Sequence, residues 1–310
     1  MPLSINTNYA AVTASANLAR NNDLLMKSMA RLASGKRIID TADDAGGLAV
    51  AMKLNSSIEK LKGVSSNIKN AISFLDVQDG IMQGAAGILE RMSELKSLSQ
   101  DVLKNSADIN TYNTEFKNLQ VQLYQMSKEK FNGVSLFATK TTSTGSIDAV
   151  FGNDNSGTDN TISIFTTEGG VSGPKVSIHK AVILSAITFQ EGRVSINKAF
   201  GASGTITFAA TTSANARELA DFETSFFTQA IENVASLRAQ NGGAMSRLEF
   251  ATSNLDRTRA NLEASYGQIM DVDIAEESTR LAKYQILVQA SASMLAQANM
   301  MPNSAMMLLG

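Results

Sequence analysis

Apolar residues return every seven positions over two long stretches of this chain. The first ladder is Leu54, Leu61, Ile68, Leu75, Met82 and Leu89; the second is Phe227, Val234, Asn241, Leu248, Leu255, Leu262 and Ile269, with Asn241 its one polar rung. Such a repeat keeps one stripe of a long helix turned toward a partner helix. The ladders therefore predict two long helices packed along each other as a rod, with Leu54, Leu61, Ile68, Leu75, Leu248, Leu255 and Leu262 in its core. Asn241 reads as a local register or bend feature.

Weaker stripes flank the ladders. Ile5, Val12, Leu18, Leu25, Met29 and Leu32 follow a drifting helical face, and Ser34-Gly35 is a stop signal because glycine accepts the left-handed conformation that ends helices. Asp43-Asp44 carry capping chemistry for the next helix, predicted over about 43–104, on the order of 90 Å at ~1.5 Å per residue. Asp108 is the expected cap of a third helix bearing Ile109, Tyr112, Phe116, Leu119, Leu123 and Met126, and Asn132-Gly133 between apolar residues predicts a hairpin. After the second ladder, Ile274, Leu281, Tyr284, Val288 and Leu295 share a face of a last helix that Pro302 is expected to end.

Between the ladders the pattern changes. Over 139–215, short β-branched runs at Ile162–Phe165, Val194–Ile196 and Ile206–Phe208 alternate with Gly, Asn, Ser and Thr. The predicted fold class is mainly α: a long antiparallel coiled-coil helical bundle formed by both chain ends, with a small β-rich central insertion. Three parts are expected: terminal helices at 1–42 with 271–310, a helical rod at 43–138 with 216–270, and the insertion at 139–215.

Composition narrows the chemistry. The 310 residues are 44% hydrophobic and 18% charged, with only 6% aromatic, light in the rings that anchor compact cores. The net charge of -2, from 27 basic and 29 acidic residues, gives no footprint for nucleic acid or an acidic membrane surface. There is no cysteine, hence no disulfide and no thiolate metal site, and the N-terminus lacks the basic start and apolar run of a secretory signal. No stretch approaches ~18 uninterrupted apolar residues, so no membrane span is expected.

Catalytic candidates are few. His179 is the only histidine, and its context shows no positioned partner for acid-base work; an exposed loop or strand position is the expected reading. Asp43-Asp44 and Gly46-Gly47 lack the lysine and the strand-turn-helix glycine spacing of a phosphate-binding turn, so helix capping and close packing account for them. No catalytic, cofactor or metal site is expected.

One ordered set of motifs is far more specific. Ile5-Asn6-Thr7-Asn8, Arg31-Leu32-Ala33-Ser34-Gly35-Lys36-Arg37-Ile38, Ala42-Asp43-Asp44-Ala45-Gly46-Gly47-Leu48-Ala49, Phe131-Asn132-Gly133-Val134 and Leu295-Ala296-Gln297-Ala298-Asn299 together resemble bacterial flagellin over residues 1–138 and 220–310. The resemblance implies a non-enzymatic subunit of the extracellular flagellar filament, exported through the flagellum's own type III channel and self-assembling into a helical polymer used for motility. It implies terminal helices that order on assembly and line the lumen, with a polymerisation interface at Ile5, Val12, Leu25, Leu281, Tyr284 and Leu295. The implied partners are further copies of the chain, an export chaperone, and hook-associated junction and cap proteins.

Similar flagellins contact the vertebrate innate-immune receptor for flagellin through an arginine and a leucine matching Arg91 and Leu95, with Glu115 the nearest candidate for a glutamate on the following helix. Arg91, Glu94 and Leu95 are expected on a face beside the buried Leu89 and Met92. The pattern departs from the receptor-active form at Glu90, Met92 and Ser93, where that form has glutamine, valine and arginine. The plainer expectation is that Arg91 and Glu115 pair with neighbouring subunits. Similar proteins also carry O-glycans in the insertion, for which Thr141, Thr142, Ser143, Ser156, Thr211 and Thr212 are candidates. Two rivals are the hook-filament junction protein, a relative with similar ends, and a filament-displayed enzyme.

Overall fold

The computed structural model describes residues 8–138, 150–152 and 161–309, with side chains as far as Met301. The described chain divides into two compact units, 1–59 with 258–310 and 60–257.

In the first unit, Asn8 caps α1 (Tyr9–Ser34) by accepting from the Ala11 amide at 3.1 Å, and Gly35 stops it at φ 68°. The chain then pairs locally with the end of α5: Arg37 N–H donates to the Met270 carbonyl at 2.6 Å and Val272 N–H to the Gly35 carbonyl at 3.1 Å. Ile38, Ala51 and Met270 form a small core there, flanked by Leu48, Tyr266 and Ile269. α2 (Ala45–Ser99) starts with Asp44 Oδ1 accepting from the Gly47 amide at 2.8 Å. A Cβ at Gly47 would meet Asp44 Cγ at 2.8 Å and Ile38 Cδ1 at 3.2 Å, so the second glycine makes room for the cap. α6 (Ile274–Leu309), begun by Asp273 Oδ1 accepting from Ala275 and Glu276, packs along α1.

In the second unit, α3 (Ser106–Met126) follows α2, and α5 (Thr224–Met270) returns against α2. Leu61, Ile68, Leu75, Met82, Leu89, Phe227, Val234, Leu248 and Leu255 are all buried, as the ladders predict. The rungs Leu54, Leu262 and Ile269 are half-buried and belong to the first unit. Asn241 is buried, and its Nδ2 donates to the Leu75 carbonyl of α2 at 2.8 Å, tying one helix to a fixed point on the other.

Several boundaries differ from expectation. α2 ends at Ser99, where a turn at Asp101 breaks the helix, and α3 is capped by Asn105, with Asp108 answering from the third position in a reciprocal capping box. α6 continues past Pro302. Proline lacks the N–H that would reach the Ala298 carbonyl, and Asn8 Nδ2 donates to that carbonyl instead, at 2.7 Å. Asn8 thus caps one terminal helix with its oxygen and repairs the other with its nitrogen.

The β elements are short. β1 (Lys130–Phe131) and β2 (Val134–Ser135) form the expected hairpin, with positive φ at both Asn132 and Gly133. β3 (Thr161–Phe165) pairs antiparallel with β4 (Lys175–His179), Ile162 opposite Ile178. After the single-turn α4 (Ile183–Ala186), β5 (Thr188–Gln190) is the centre of an antiparallel sheet between β6 (Arg193–Asn197) and β7 (Thr205–Thr207).

The low aromatic content misleads, because the rings are concentrated. Phe116, Phe189, Phe208, Phe222, Phe226 and Phe227, six of the thirteen phenylalanines, form one buried cluster with centroid separations from 4.5 to 6.5 Å. This cluster joins β5 and the segment after β7 to α3 and α5. Buried amides pin the same junction: Gln120 Nε2 donates to the Arg217 carbonyl at 2.8 Å, Gln78 Nε2 to that of Leu136 at 2.6 Å, and Asn233 Nδ2 to that of Ala186 at 2.8 Å.

Candidate assembly surfaces

The first candidate surface is the paired terminal helices. Ser28 is the one buried residue among the twenty-six of α1. Of the sequence-predicted interface residues, Leu25, Leu281, Tyr284 and Leu295 are half-buried, Val12 is exposed, and Ile5 lies outside the described residues. Solvent-facing apolar side chains outside that set include Tyr9, Met26, Ile274, Ile286 and Met294, all more than half exposed. Ile274 lies on the stripe read for the last helix, whereas Tyr9, Met26 and Ile286 are apolar residues off the stripes, which a single-face reading discards.

Polar pairs fix the register of this helix pair. Asn21 Nδ2 donates to Ser291 Oγ at 2.7 Å, and Ser28 Oγ donates to the buried Glu277 Oε1 at 2.6 Å. Glu277 also faces Arg31 at 4.0 Å and Arg280 at 3.4 Å. Arg31 reaches on to Asp43 at 3.5 Å, and Lys27 pairs with Asp43 as well. The Lys27 contact, aided by the Ile39 and Asp40 amides and opposed by burial, holds the Asp43 carboxyl down from 3.8 to about 2. α1, the connecting segment and α6 are thereby joined by one chain of charges.

The second candidate surface surrounds Arg91. Its guanidinium grips Glu115 of α3 through two bonds, 2.8 and 3.2 Å, and Glu94 at 2.7 Å, all on exposed side chains. Arg91 and Glu115 therefore pair within one chain. Leu95, expected on the exposed face, is completely buried. The reason is a wider buried arc at this end of α2: Lys96 donates to the Leu219 carbonyl at 2.7 Å, so a further segment covers the helix beyond its ladder stripe.

The remaining candidates fall in the insertion. Thr211 and Thr212 are exposed; Thr141, Thr142, Ser143 and Ser156 lie outside the described residues. His179 is exposed at the end of β4. Among the described residues no group of three His, Asp or Glu side chains is placed to hold a metal ion, and no helix is long and apolar enough to cross a membrane.

Comparison with known proteins matches these two helical regions separately. The bacterial flagellin N-terminal helical region matches residues 5–142, and the bacterial flagellin C-terminal helical region matches residues 224–309. The chain is 30% identical to the flagellin of Listeria innocua, over 97% of each chain. It is 29% identical to that of Bacillus subtilis, over 99% of this chain and all of that one, and 28% identical to a flagellar filament 33 kDa core protein of Treponema phagedenis, over 98% and 99%. A crystal structure of Bacillus cereus flagellin aligns with a TM-score of 0.41 at 19% identity, covering 61% of this chain and 88% of that one. With both of its helical ends accounted for in this way, the chain belongs to the bacterial flagellin family.

Proposed function

We propose that this flagellin makes its polymer contacts through the solvent-facing apolar residues of α1 and α6, together with the half-buried Leu25, Leu281, Tyr284 and Leu295. As a member of the family it is a structural subunit of the extracellular flagellar filament. The carrying observation is the run of exposed Tyr9, Val12, Met26, Ile286 and Met294 along two paired helices that bury almost nothing of their own. Exposed apolar stripes of that extent mark surfaces awaiting a partner, and in a polymer the partner is another copy. Three parts then divide the work: 1–42 with 271–310 in the inner tube, 43–138 with 216–270 around it, and 139–215 facing outward.

Truncation tests this reading. Removing residues 1–35 or 275–310 is expected to leave a soluble, partly helical monomer that forms no filaments by electron microscopy. Filaments of normal length from either truncation would end the proposal.

The same reading brings in an export chaperone and the junction and cap proteins as partners. The Arg91-Glu115 pair is the proposed contact for the vertebrate flagellin receptor, with Leu95 acting only by supporting the helix beneath it. A receptor-reporter assay on monomer should respond to wild type and lose response in Arg91→Ala; silence from wild type would dismiss that contact. Thr211 and Thr212 are proposed O-glycan acceptors, and an unmodified mass for native filament protein would dismiss them.

A further inference from the structure

Two features of the second unit stay unexplained by the terminal helices. The first is the turn between α2 and α3. Val102 and Leu103 are 96% and 92% exposed, an apolar dipeptide where a loop ordinarily carries polar residues. The turn is built to hold them there. Asp101 Oδ1 accepts from the Leu103 amide at 3.0 Å, the Lys104 amide donates to the Asp101 carbonyl at 3.2 Å, and the Lys104 ammonium sits 6.0 Å over the Tyr112 ring. A loop pinned at both sides keeps the dipeptide presented, which lowers the ordering cost of docking.

The second feature is an apolar trough of about 320 Å³, with Ala71 and Phe74 of α2 on one side and Phe131, Ile162, Ile164 and Ile178 of the two hairpins on the other. Phe74 and Phe131 meet edge to face at 6.0 Å and hold its shape. Its volume is many times the ~30 Å³ share of one water, room for two branched aliphatic side chains.

Val102 and Leu103 cannot fill the trough of their own chain. Ala71 and Ser99 lie on one uninterrupted helix, about 28 residues and thus roughly 40 Å apart. A knob and a pocket so separated on one molecule satisfy each other only between copies, and repetition of such a head-to-tail contact gives an open polymer. We propose that Val102 and Leu103 of one copy seat in the Phe74-Phe131-Ile162 trough of the next, forming a contact that offsets successive copies along α2. This rests on the polymerisation reading above and adds to it a contact independent of α1 and α6.

The chain has no cysteine, so engineered pairs report without background. In the experiment, purified Leu103→Cys/Asn67→Cys protein is polymerised and oxidised, beside each single variant and wild type. Asn67 is exposed at the rim of the trough, and cysteine at 103 keeps a small apolar side chain in the knob. A ladder of covalent multimers from the pair alone is expected. In parallel, Val102→Ser/Leu103→Ser should melt as wild type, because both residues are exposed, while its critical concentration for assembly rises about tenfold or more as apolar contact area is lost. Filaments of the cysteine pair without the ladder, or a serine variant assembling at the wild-type concentration, would overturn the contact and leave the terminal-helix reading intact. Failure of wild type itself to polymerise would bring down that reading and the contact with it.

Discussion

The α1-α6 pair and the phenylalanine-centred bundle are built from one chain by opposite means. In the bundle, six rings and the ladder residues from Leu61 to Leu89 lose essentially all their exposure, and the amides of Gln78, Gln120 and Asn233 close the junctions. In the terminal pair, the closest contacts are polar, Asn21 to Ser291, Ser28 to Glu277 and Asn8 to the Ala298 carbonyl, while much of the apolar surface stays in water. Apolar burial supplies stability without direction, whereas paired polar groups fix alignment and add little net free energy. The bundle therefore carries its own core, and the terminal pair carries register and a surface to be covered.

The largest break in that comparison should come from the ring cluster. Phe208 stacks on Phe222 at 4.5 Å and lies 4.7 Å from Phe227, fully buried. Phe208→Ala should lower unfolding stability by about 3–5 kcal/mol, read from denaturant titration of the monomer. A loss below about 1 kcal/mol, the scale of an ordinary surface change, would show that the cluster is not the bundle's anchor. In the terminal pair, Glu277→Ala leaves the Ser28 hydroxyl without its buried carboxylate acceptor, a cost of roughly 1–3 kcal/mol confined to that pair. Hydrogen exchange should quicken in α1 and α6 and stay unchanged in α3; equal acceleration in both would merge the two regions.

What the sequence announced and what it hid follow the same division. The ladders were legible because each rung faces one partner helix, so a single period suffices. Phe74, Gln78 and Leu95 escaped because hairpins and the segment near Leu219 cover further faces of α2, and no one-stripe pattern encodes a helix with several neighbours. β6 and β7 were visible as β-branched runs, whereas β5, Thr188–Gln190, follows directly on the apolar residues of α4 and does not stand out from them. Asp108 was seen as capping chemistry but its reciprocal partner Asn105 was not, since either residue alone satisfies the sequence rule. At the candidate surface, the stripe from Leu25 to Leu295 was readable as apolar, but periodicity cannot tell a face used within the chain from one left for another copy.

Acid sharpens the contrast between the regions. Asp43 holds its carboxyl at about 2 in the folded state against an ordinary 3.8, chiefly through Lys27. A depressed carboxyl contributes stability that is fully present above about 3.8 and is lost as pH falls through about 2. Because Lys27 is nearly half exposed and screened, the contribution is roughly 1–2 kcal/mol. Protection of α1 should fall between pH 4 and pH 2 in wild type, and Asp43→Asn should show the lowered protection already at neutral pH. An Asp43→Asn protein matching wild type at pH 7 would mean that the ion pair adds nothing to the helix pair.

Asn241 is where the bundle borrows the device of the terminal pair. Its Nδ2 holds the Leu75 carbonyl at 2.8 Å, while its buried Oδ1 meets no donor among the described residues. Burying that oxygen unpaired costs free energy, and leucine on the same rung would remove the cost and add apolar contact. Asn241→Leu is therefore expected to raise monomer stability by about 1 kcal/mol or less, since the lost Nδ2 bond offsets part of the gain. If the polar rung exists to fix alignment, the stabilised variant should also tolerate a second register of α5 against α2, visible as doubled amide signals for residues near Leu75 in NMR spectra. Higher stability with a single set of signals would leave alignment to the Arg238-Asp79 pair one turn away, which joins the same two helices through bonds of 2.9 and 3.0 Å.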